Sequence, residues 1–149
     1  MREGEGRKSS LTMKDQVMNE KQESIELTSH MEDYLEAILV LQKEKGVVRV
    51  KDISDFLEVN KSSVNSALNA LLDKKLIDHE HYGYIALTIE GEKLAKEIQN
   101  RHDVLHQFLV GVLGVEDKVA SEDACRMEHV ISADTIKKLT QFVKKYSKK

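Results

Sequence analysis

The sequence predicts a mainly α-helical protein in which a winged helix-turn-helix unit is followed by a smaller helical unit. The 149 residues contain no proline, the strongest helix breaker, and they are rich in the helix-forming residues Leu, Lys, Glu and Ala. Apolar residues recur at helical spacing through most of the chain. The predicted order of the first segments is helix, helix, helix and hairpin, which is the order of a winged helix-turn-helix.

Length and composition limit the class of protein. A chain that is 40% hydrophobic and 33% charged can form one medium domain or two small ones, which excludes a large multi-domain enzyme. The sequence has neither a membrane-spanning apolar run nor a secretory signal, so we expect a cytoplasmic protein. Its single cysteine, Cys125, cannot form an internal disulfide, which fits a reducing compartment. The net charge of -3 gives no overall attraction for nucleic acid, so a DNA-binding site must be a local patch.

The chain is expected to divide into an arm and two units. Residues 1–27 contain few large apolar residues, which predicts a flexible N-terminal arm, with a short helix from Leu11 to Glu23 that orders on a partner as the alternative. Residues 28–92 are predicted to form the winged helix-turn-helix. Residues 93–149 are predicted to form the second helical unit.

The first two predicted helices form the base of the winged unit. Thr28 or Ser29 can cap the first helix, and Gly46 ends it. Its apolar stripe consists of Met31, Tyr34, Leu35, Ile38 and Leu41. The second helix is predicted over 50–57, and its inward residues are expected to be Ile53, Phe56 and Leu57.

The third helix, predicted over 61–75, is the candidate DNA-reading element. In a helix-turn-helix the second helix of the motif enters the major groove, and its first turns reach the base edges. Lysine and serine side chains can meet phosphates there, and asparagine can pair with adenine. A solvated helix face is the alternative interpretation. The candidate DNA-binding residues are Lys61, Ser62, Ser63, Asn65, Ser66 and Asn69.

A hairpin follows the third helix and forms the predicted wing. Two β-prone runs, 76–80 and 84–87, flank a turn that contains Gly83. His79 and His81 stand where Arg or Lys would suit phosphates better, so we expect weak contact between this wing and DNA. These two histidines could also bind a metal ion, but exposed histidines without a function are the favoured interpretation.

Three more helices are predicted after the wing. Thr88 can cap the fourth helix, which continues to Leu109 before Gly111 and Gly114 weaken it. The fifth helix is predicted over 119–131. The sixth begins at residue 133 or 134 and ends near residue 146.

Side chains that can bind a metal ion recur at one-turn spacing on three of these helices. Cys125, Glu128 and His129 stand at i, i+3 and i+4 of the fifth helix, on a face expected to lie roughly opposite its apolar residues. The other two groups are the pairs Asp33 with Glu36 and His102 with His106. Solvated carboxylates, a packed cysteine and a chance pair of histidines are the alternatives.

The mixture of thiolate, carboxylate and imidazole predicts the kind of ion. These donors together suit late first-row divalent ions better than magnesium or calcium. Without a cation, the carboxylates of Asp33, Glu36 and Glu128 would repel one another and an ionised Cys125. A dication would relieve that repulsion.

In these residues the chain resembles the diphtheria-toxin-repressor and manganese-transport-regulator family of metal-dependent transcription factors. The likeness runs from about residue 31 to about residue 143. It is carried by the stretches MEDYLE at 31–36 and DACRMEHVIS at 123–132, with Arg101 and His102 between them.

The resemblance implies a repressor that reads double-stranded operator DNA as a homodimer and has no membrane contact. Its implied cofactor is Mn(II) or Fe(II), and its implied second unit serves metal binding and dimerisation. Asp33 and Glu36 are typical of the manganese branch, and Cys125 is typical of the iron branch. The implied metal ligands are Asp33, Glu36, His102, Cys125, Glu128 and His129. An ancillary site would involve His106 and Glu122.

Three alternatives from other classes remain at this point. A metal-independent winged-helix regulator that senses a small molecule would share the DNA-reading half. An enzyme with Cys125 as nucleophile and His129 as base would need an oxyanion motif or a glycine-rich loop, and the sequence shows neither nearby. A pure protein-interaction module would use the wing and the basic tail.

Overall fold

The computed structural model describes residues 27–80 and 83–147, and it confirms the mainly helical winged helix-turn-helix fold. The predicted flexible arm, with its alternative helix from Leu11 to Glu23, lies almost wholly outside the described residues. The elements, in chain order, are α1 (Ser29–Lys45), α2 (Val50–Leu57), α3 (Lys61–Asp73), β1 (Ile77–His79), β2 (Ile85–Leu87), α4 (Ile89–Gln107), a π-helical turn (Phe108–Val112), α5 (Asp117–Met127) and α6 (Ala133–Ser147).

The central helix α1 has clear signals at both ends. The Thr28 hydroxyl accepts a hydrogen bond from the Met31 amide at 3.2 Å, which confirms the predicted cap. At the other end Gly46 adopts φ +79, a conformation that favours glycine. The first hydrophobic core surrounds this helix and contains Leu35, Ile38, Ile53, Val64, Leu68, Leu71, Ile77, Ile85, Ala95 and Ile98.

The turn between α2 and α3 orients the candidate DNA-reading helix. Glu58 ends α2 in the left-handed region at φ 57. The Asn60 side chain then caps α3 by accepting from the Ser63 amide at 2.7 Å. The expectation that Phe56 points inward is wrong, because its side chain is 47% exposed. A helix of eight residues buries one narrow line of side chains, and Ile53 occupies that line.

The predicted hairpin is present, and it packs against the start of α4. Strands β1 and β2 are antiparallel, and Val48 makes a further bridge to Ile85. Helix α3 ends at Asp73, two residues before the predicted end. A Cβ atom at Gly91 would clash with the backbone carbonyl of Leu76, so glycine is required where α4 approaches β1.

Helix α4 passes from the first unit into the second, so the predicted boundary at residue 92 falls inside it. Ala95 and Ile98 belong to the first core. Further along, α4 and the helices that follow contribute buried residues of their own, namely Val104, Leu105, Leu109, Ala120, Ala124 and Val143. The division into residues 28–92 and 93–149 stays a prediction.

The end of α4 and the bounds of α5 differ from the sequence-based expectation. Helix α4 widens into the π-helical turn, which ends before Gly114 at φ +73. Helix α5 spans Asp117–Met127 and ends four residues before the predicted end. Within the described residues, no helix has the length and apolar character needed to cross a membrane.

Candidate metal centre and DNA-binding surface

Helix α1, helix α4 and the end of α5 bring five of the six predicted metal ligands into two overlapping groups. In each group, one donor atom from every residue lies within 4.8 Å of the others. One group contains Asp33, Glu128 and His129, and the other contains Glu36, His102 and Glu128. Glu128 belongs to both groups, so its carboxylate forms the centre of the cluster.

Glu128 is the most buried member, with 1% of its side chain exposed. Its Oε2 lies 3.0 Å from His102 Nδ1. Its Oε1 lies 3.6 Å from His129 Nε2 and has no hydrogen-bond partner among the described residues. The expectation that this residue lies opposite the apolar face of α5 is wrong. Glu128 follows Ala124 by one helical turn, so it shares that residue's buried side.

The surroundings of Glu128 disfavour its charged form. Burial is the main cause that raises the pKa of this carboxyl, from an ordinary value of 4.5 to about 9. The negative charge of Glu36 and a proton that the two carboxyls can share add to the shift, and Asp33 adds less. The positive charge of Arg101 partly opposes it. At neutral pH and without a cation, Glu128 is therefore protonated.

Cys125 borders the cluster without belonging to either group. Its Sγ lies 3.7 Å from His102 Nδ1, although the residue as a whole is exposed. Loss of hydration at the thiol, followed by repulsion from Glu128, Glu36 and Asp33, raises the pKa of Cys125 to about 11. A cysteine in these surroundings is a poor nucleophile at neutral pH unless a cation stabilises its thiolate.

His129 is held between carboxylates on both sides of its ring. Its Nε2 lies 2.8 Å from Asp33 Oδ1, and its Nδ1 lies 3.2 Å from Glu32 Oε1. Glu32 in turn accepts from Arg101 Nη2 at 2.6 Å. No local pattern predicts a role for Glu32 or Arg101, although both lie within the motifs that carry the family resemblance. Only the folded contacts distinguish them from ordinary charged residues on helices.

The two predicted ancillary residues lie outside the groups. The His106 ring stacks near the His102 ring with centroids 6.3 Å apart, but its Nε2 contacts Asp117 Oδ1 at 2.9 Å. Glu122 is exposed on α5. An ancillary site at His106 and Glu122 stays a prediction.

The chemistry of the cluster fits a divalent transition cation. Three carboxylates, two imidazoles and a neighbouring thiol converge from three helices, and this set of donors matches such ions. The Oε1 of Glu128 has no hydrogen-bond partner among the described residues, and burial together with the nearby carboxyls raises the pKa of this group, so a cation at the centre would relieve both conditions. Arg101 offsets the pKa shift only in part, and its Nη2 is bonded to Glu32.

The polar side of α3 forms a second candidate site. Val64, Leu68 and Leu71 are buried on its inner side. Each predicted DNA-binding residue is exposed, namely Lys61, Ser62, Ser63, Asn65, Ser66 and Asn69. A cation that no sequence pattern predicts lies next to the wing. Arg49 donates from Nη2 to the Tyr84 hydroxyl at 3.1 Å, and its guanidinium carbon lies 4.9 Å from the ring centroid.

Comparison with known families assigns a description to each half of the chain. The model of the iron dependent repressor N-terminal DNA binding domain matches residues 26–85. The model of the iron dependent repressor metal binding and dimerisation domain matches residues 88–149.

Individual proteins resemble the chain in sequence or in structure. The HTH-type transcriptional regulator MntR of Shouchella clausii is 39% identical over 116 residues, covering 78% of this chain and 80% of that protein. An uncharacterized HTH-type transcriptional regulator of Methanocaldococcus jannaschii is 32% identical over 124 residues, covering 83% of this chain and 99% of that protein. The solved manganese regulator SloR has a TM-score of 0.70 and 25% identity, covering 76% of this chain and 53% of that one. The chain thus spans about half the length of this solved relative.

Proposed function

Because the chain belongs to the diphtheria-toxin-repressor and manganese-transport-regulator family of metal-dependent transcriptional regulators, we propose that it represses genes of metal homeostasis as a cytoplasmic homodimer that binds operator DNA when Mn(II) or Fe(II) is bound. The observation that carries this proposal is the convergence of donors from three helices on the buried carboxyl of Glu128. The proposed ligands are Asp33, Glu36, His102, Cys125, Glu128 and His129.

The proposed ligands connect the two units of the chain. Asp33 and Glu36 lie on α1, which forms the centre of the first core, whereas Glu128 and His129 follow α5 in the second unit. A bound dication supplies the positive charge that lets the carboxylates and the thiolate be ionised together. Ionised side chains from α1 and from the end of α5 would then hold the two units in one relative orientation.

The exposed side of α3 is the proposed operator-reading surface. Asn65 and Asn69 lie one turn apart, as required for side chains that contact neighbouring base edges. Lys61 is the first residue of the helix, and its ammonium group would contact a phosphate. In a homodimer the two copies of α3 would have to lie about 34 Å apart to enter successive major grooves.

Exposed apolar residues of the second unit support dimerisation. Phe142 and Tyr146 on α6 are each 47% exposed, and Leu113 after the π-helical turn is 59% exposed. Phe108 and Phe142 are in edge contact, with ring centroids 6.2 Å apart. A row of exposed aromatic and aliphatic side chains on one unit is the kind of surface that a symmetric partner copy covers.

The proposed coupling between cation and operator has a magnitude that can be measured. Allosteric coupling of about 1 to 3 kcal/mol corresponds to roughly a 5- to 150-fold gain in operator affinity. The choice of ion is open to the same measurement, because Asp33 and Glu36 offer hard oxygen donors and Cys125 offers a soft sulfur donor.

The proposal is tested by anaerobic titration of the protein with Mn(II), Fe(II), Co(II) and Zn(II), with affinity for a palindromic promoter library as the measurement. His129→Ala should abolish the metal response. His30→Ala, at an exposed histidine near the start of α1, is the matched control and should keep it. A thermal melt shows whether each variant is folded. Operator affinity that does not change with any ion would refute the proposal.

Membership of the family disfavours the alternatives from other classes. Its members are DNA-binding transcriptional regulators, so neither the enzyme with Cys125 as nucleophile nor the metal-independent sensor of a small molecule is supported. The metal-independent regulator makes an opposite prediction, since a chelator would then leave operator binding intact.

A further inference from the structure

A buried carboxylate outside the proposed ligand set faces the outer nitrogen of His129. Glu32 is 9% exposed and lies on α1 beside Asp33, but its side chain points to a different side of the helix. Its Oε1 contacts His129 Nδ1 at 3.2 Å, and its Oε2 contacts Arg101 Nη2 at 2.6 Å. Both oxygens are therefore occupied, and Glu32 belongs to neither group of converging donors.

The two nitrogens of the His129 ring have different surroundings. Nε2 faces the cluster, at 2.8 Å from Asp33 Oδ1 and 3.6 Å from Glu128 Oε1. Nδ1 faces away from it, toward Glu32. A histidine that binds a metal ion through one nitrogen usually donates its other N–H to a carboxylate or carbonyl, and this contact fixes the ring orientation.

We propose that Glu32, held by Arg101, is a positioning residue that accepts the Nδ1–H of His129 and thereby presents Nε2 to the cation. The inference rests on the proposed metal site but assigns a role to two residues outside it. Arg101 contributes by fixing the second oxygen of Glu32 through a charge-assisted hydrogen bond.

The variant Glu32→Gln tests the role of the carboxylate with little change in shape. A carboxylate accepts from both Arg101 and His129, whereas an amide has one acceptor oxygen and must leave one of these two donors unpaired. Co(II) titration, followed through its ligand-field bands and the charge-transfer band of the Cys125 thiolate, measures affinity directly. We expect a loss of about 10- to 100-fold, the usual effect of removing such a partner. Glu44→Gln, at an exposed glutamate of the same helix, is the matched control and should leave Co(II) affinity unchanged.

A double variant separates positioning from a general structural role. In Glu32→Gln combined with Arg101→Met, one of the two competing donors is gone, and the amide oxygen is free to accept from His129. We expect the double variant to bind Co(II) more tightly than Glu32→Gln does. Arg101→Met, measured singly, gives the effect of removing the arginine by itself. A purely structural role for the Glu32 contact with Arg101 predicts further loss in the double variant, and that result would overturn the inference.

A measurement on the unmodified protein decides the matter if Glu32→Gln does not fold. In the protein loaded with diamagnetic Zn(II), ¹⁵N NMR should show His129 protonated at Nδ1 and bound to the ion through Nε2. The reverse assignment would overturn the inference. Wild-type protein that binds no Co(II) would refute the proposed metal site itself, whereas wild-type affinity in Glu32→Gln would refute only the positioning role.

Discussion

Replacement of Glu128 by glutamine should stabilise the metal-free protein and abolish its response to metal. The buried carboxyl is protonated near neutral pH because its pKa is raised to about 9. A glutamine side chain has the same shape as a protonated glutamate. Its oxygen can accept from His102 Nδ1, but it cannot become the anion that a cation requires.

The magnitude follows from the difference in pKa between the folded and unfolded states. The unfolded carboxyl ionises at an ordinary 4.5, so between pH 4.5 and about 9 the folded state binds more protons than the unfolded state. Stability therefore falls as pH rises through this window. Each pH unit above 4.5 costs about 1.4 kcal/mol, so the loss of stability at pH 7 is roughly 3 to 4 kcal/mol. Glutamine does not titrate, so Glu128→Gln should be more stable than wild type by up to this amount.

Urea denaturation of chelator-treated protein at pH 5, pH 7 and pH 8.5 measures the effect. The advantage of Glu128→Gln should be less than about 1 kcal/mol at pH 5 and should grow with pH. Glu97→Gln, at an exposed glutamate of α4, is the control and should show no such growth. Added Mn(II) should stabilise wild type and not Glu128→Gln. An advantage that is independent of pH, or a variant less stable than wild type at pH 7, would refute this account of the cluster.

Three further predictions concern the DNA-binding unit. Gly91→Ala should lower the free energy of unfolding by about 1 to 3 kcal/mol in urea, because its methyl group meets the Leu76 carbonyl; an unchanged midpoint would contradict that contact. Asn69→Ala should cost about 1 to 3 kcal/mol of operator affinity in a gel-shift assay and leave Co(II) affinity unchanged, whereas equal loss on unrelated DNA would argue against base contact. Arg49→Gln should weaken binding to all DNA sequences alike and reduce the salt slope of log affinity by about one, and an unchanged slope would exclude a phosphate contact.

The sequence was most informative where a local rule decides the structure. Thr28 and Gly46 delimit α1 as predicted, because a capping hydroxyl and a positive φ are properties of single residues. The pattern also separated the buried and exposed sides of α3 correctly. It failed for Phe56, since periodicity cannot tell how wide a line of side chains a short helix buries against its neighbours.

The site was predictable as a set of residues but not as a network. Spacing and resemblance selected the donors on three helices, and the structure brings Asp33, Glu36, His102, Glu128 and His129 together. The burial of Glu128 was missed, because the sequence shows the helix period but not where α5 ends or how it tilts. The link from Arg101 through Glu32 to His129 joins residues 69 and 97 positions apart, and no local pattern encodes such a contact.

Glu32 and Glu128 are the two buried carboxylates between α1 and the end of α5. Their different surroundings explain why the proposed regulator would respond to metal rather than bind DNA constitutively. Glu32 is paired with a cationic side chain of the chain itself, because its Oε2 lies 2.6 Å from Arg101 Nη2. Among the described residues no lysine or arginine bonds to Glu128, and its Oε1 has no hydrogen-bond partner there. If a second arginine satisfied Glu128, α1 and the end of α5 would stay joined under all conditions, and the operator-reading helices would have a fixed spacing. If the charge comes from a dissociable ion instead, as proposed, the orientation of the two units would depend on the concentration of that ion.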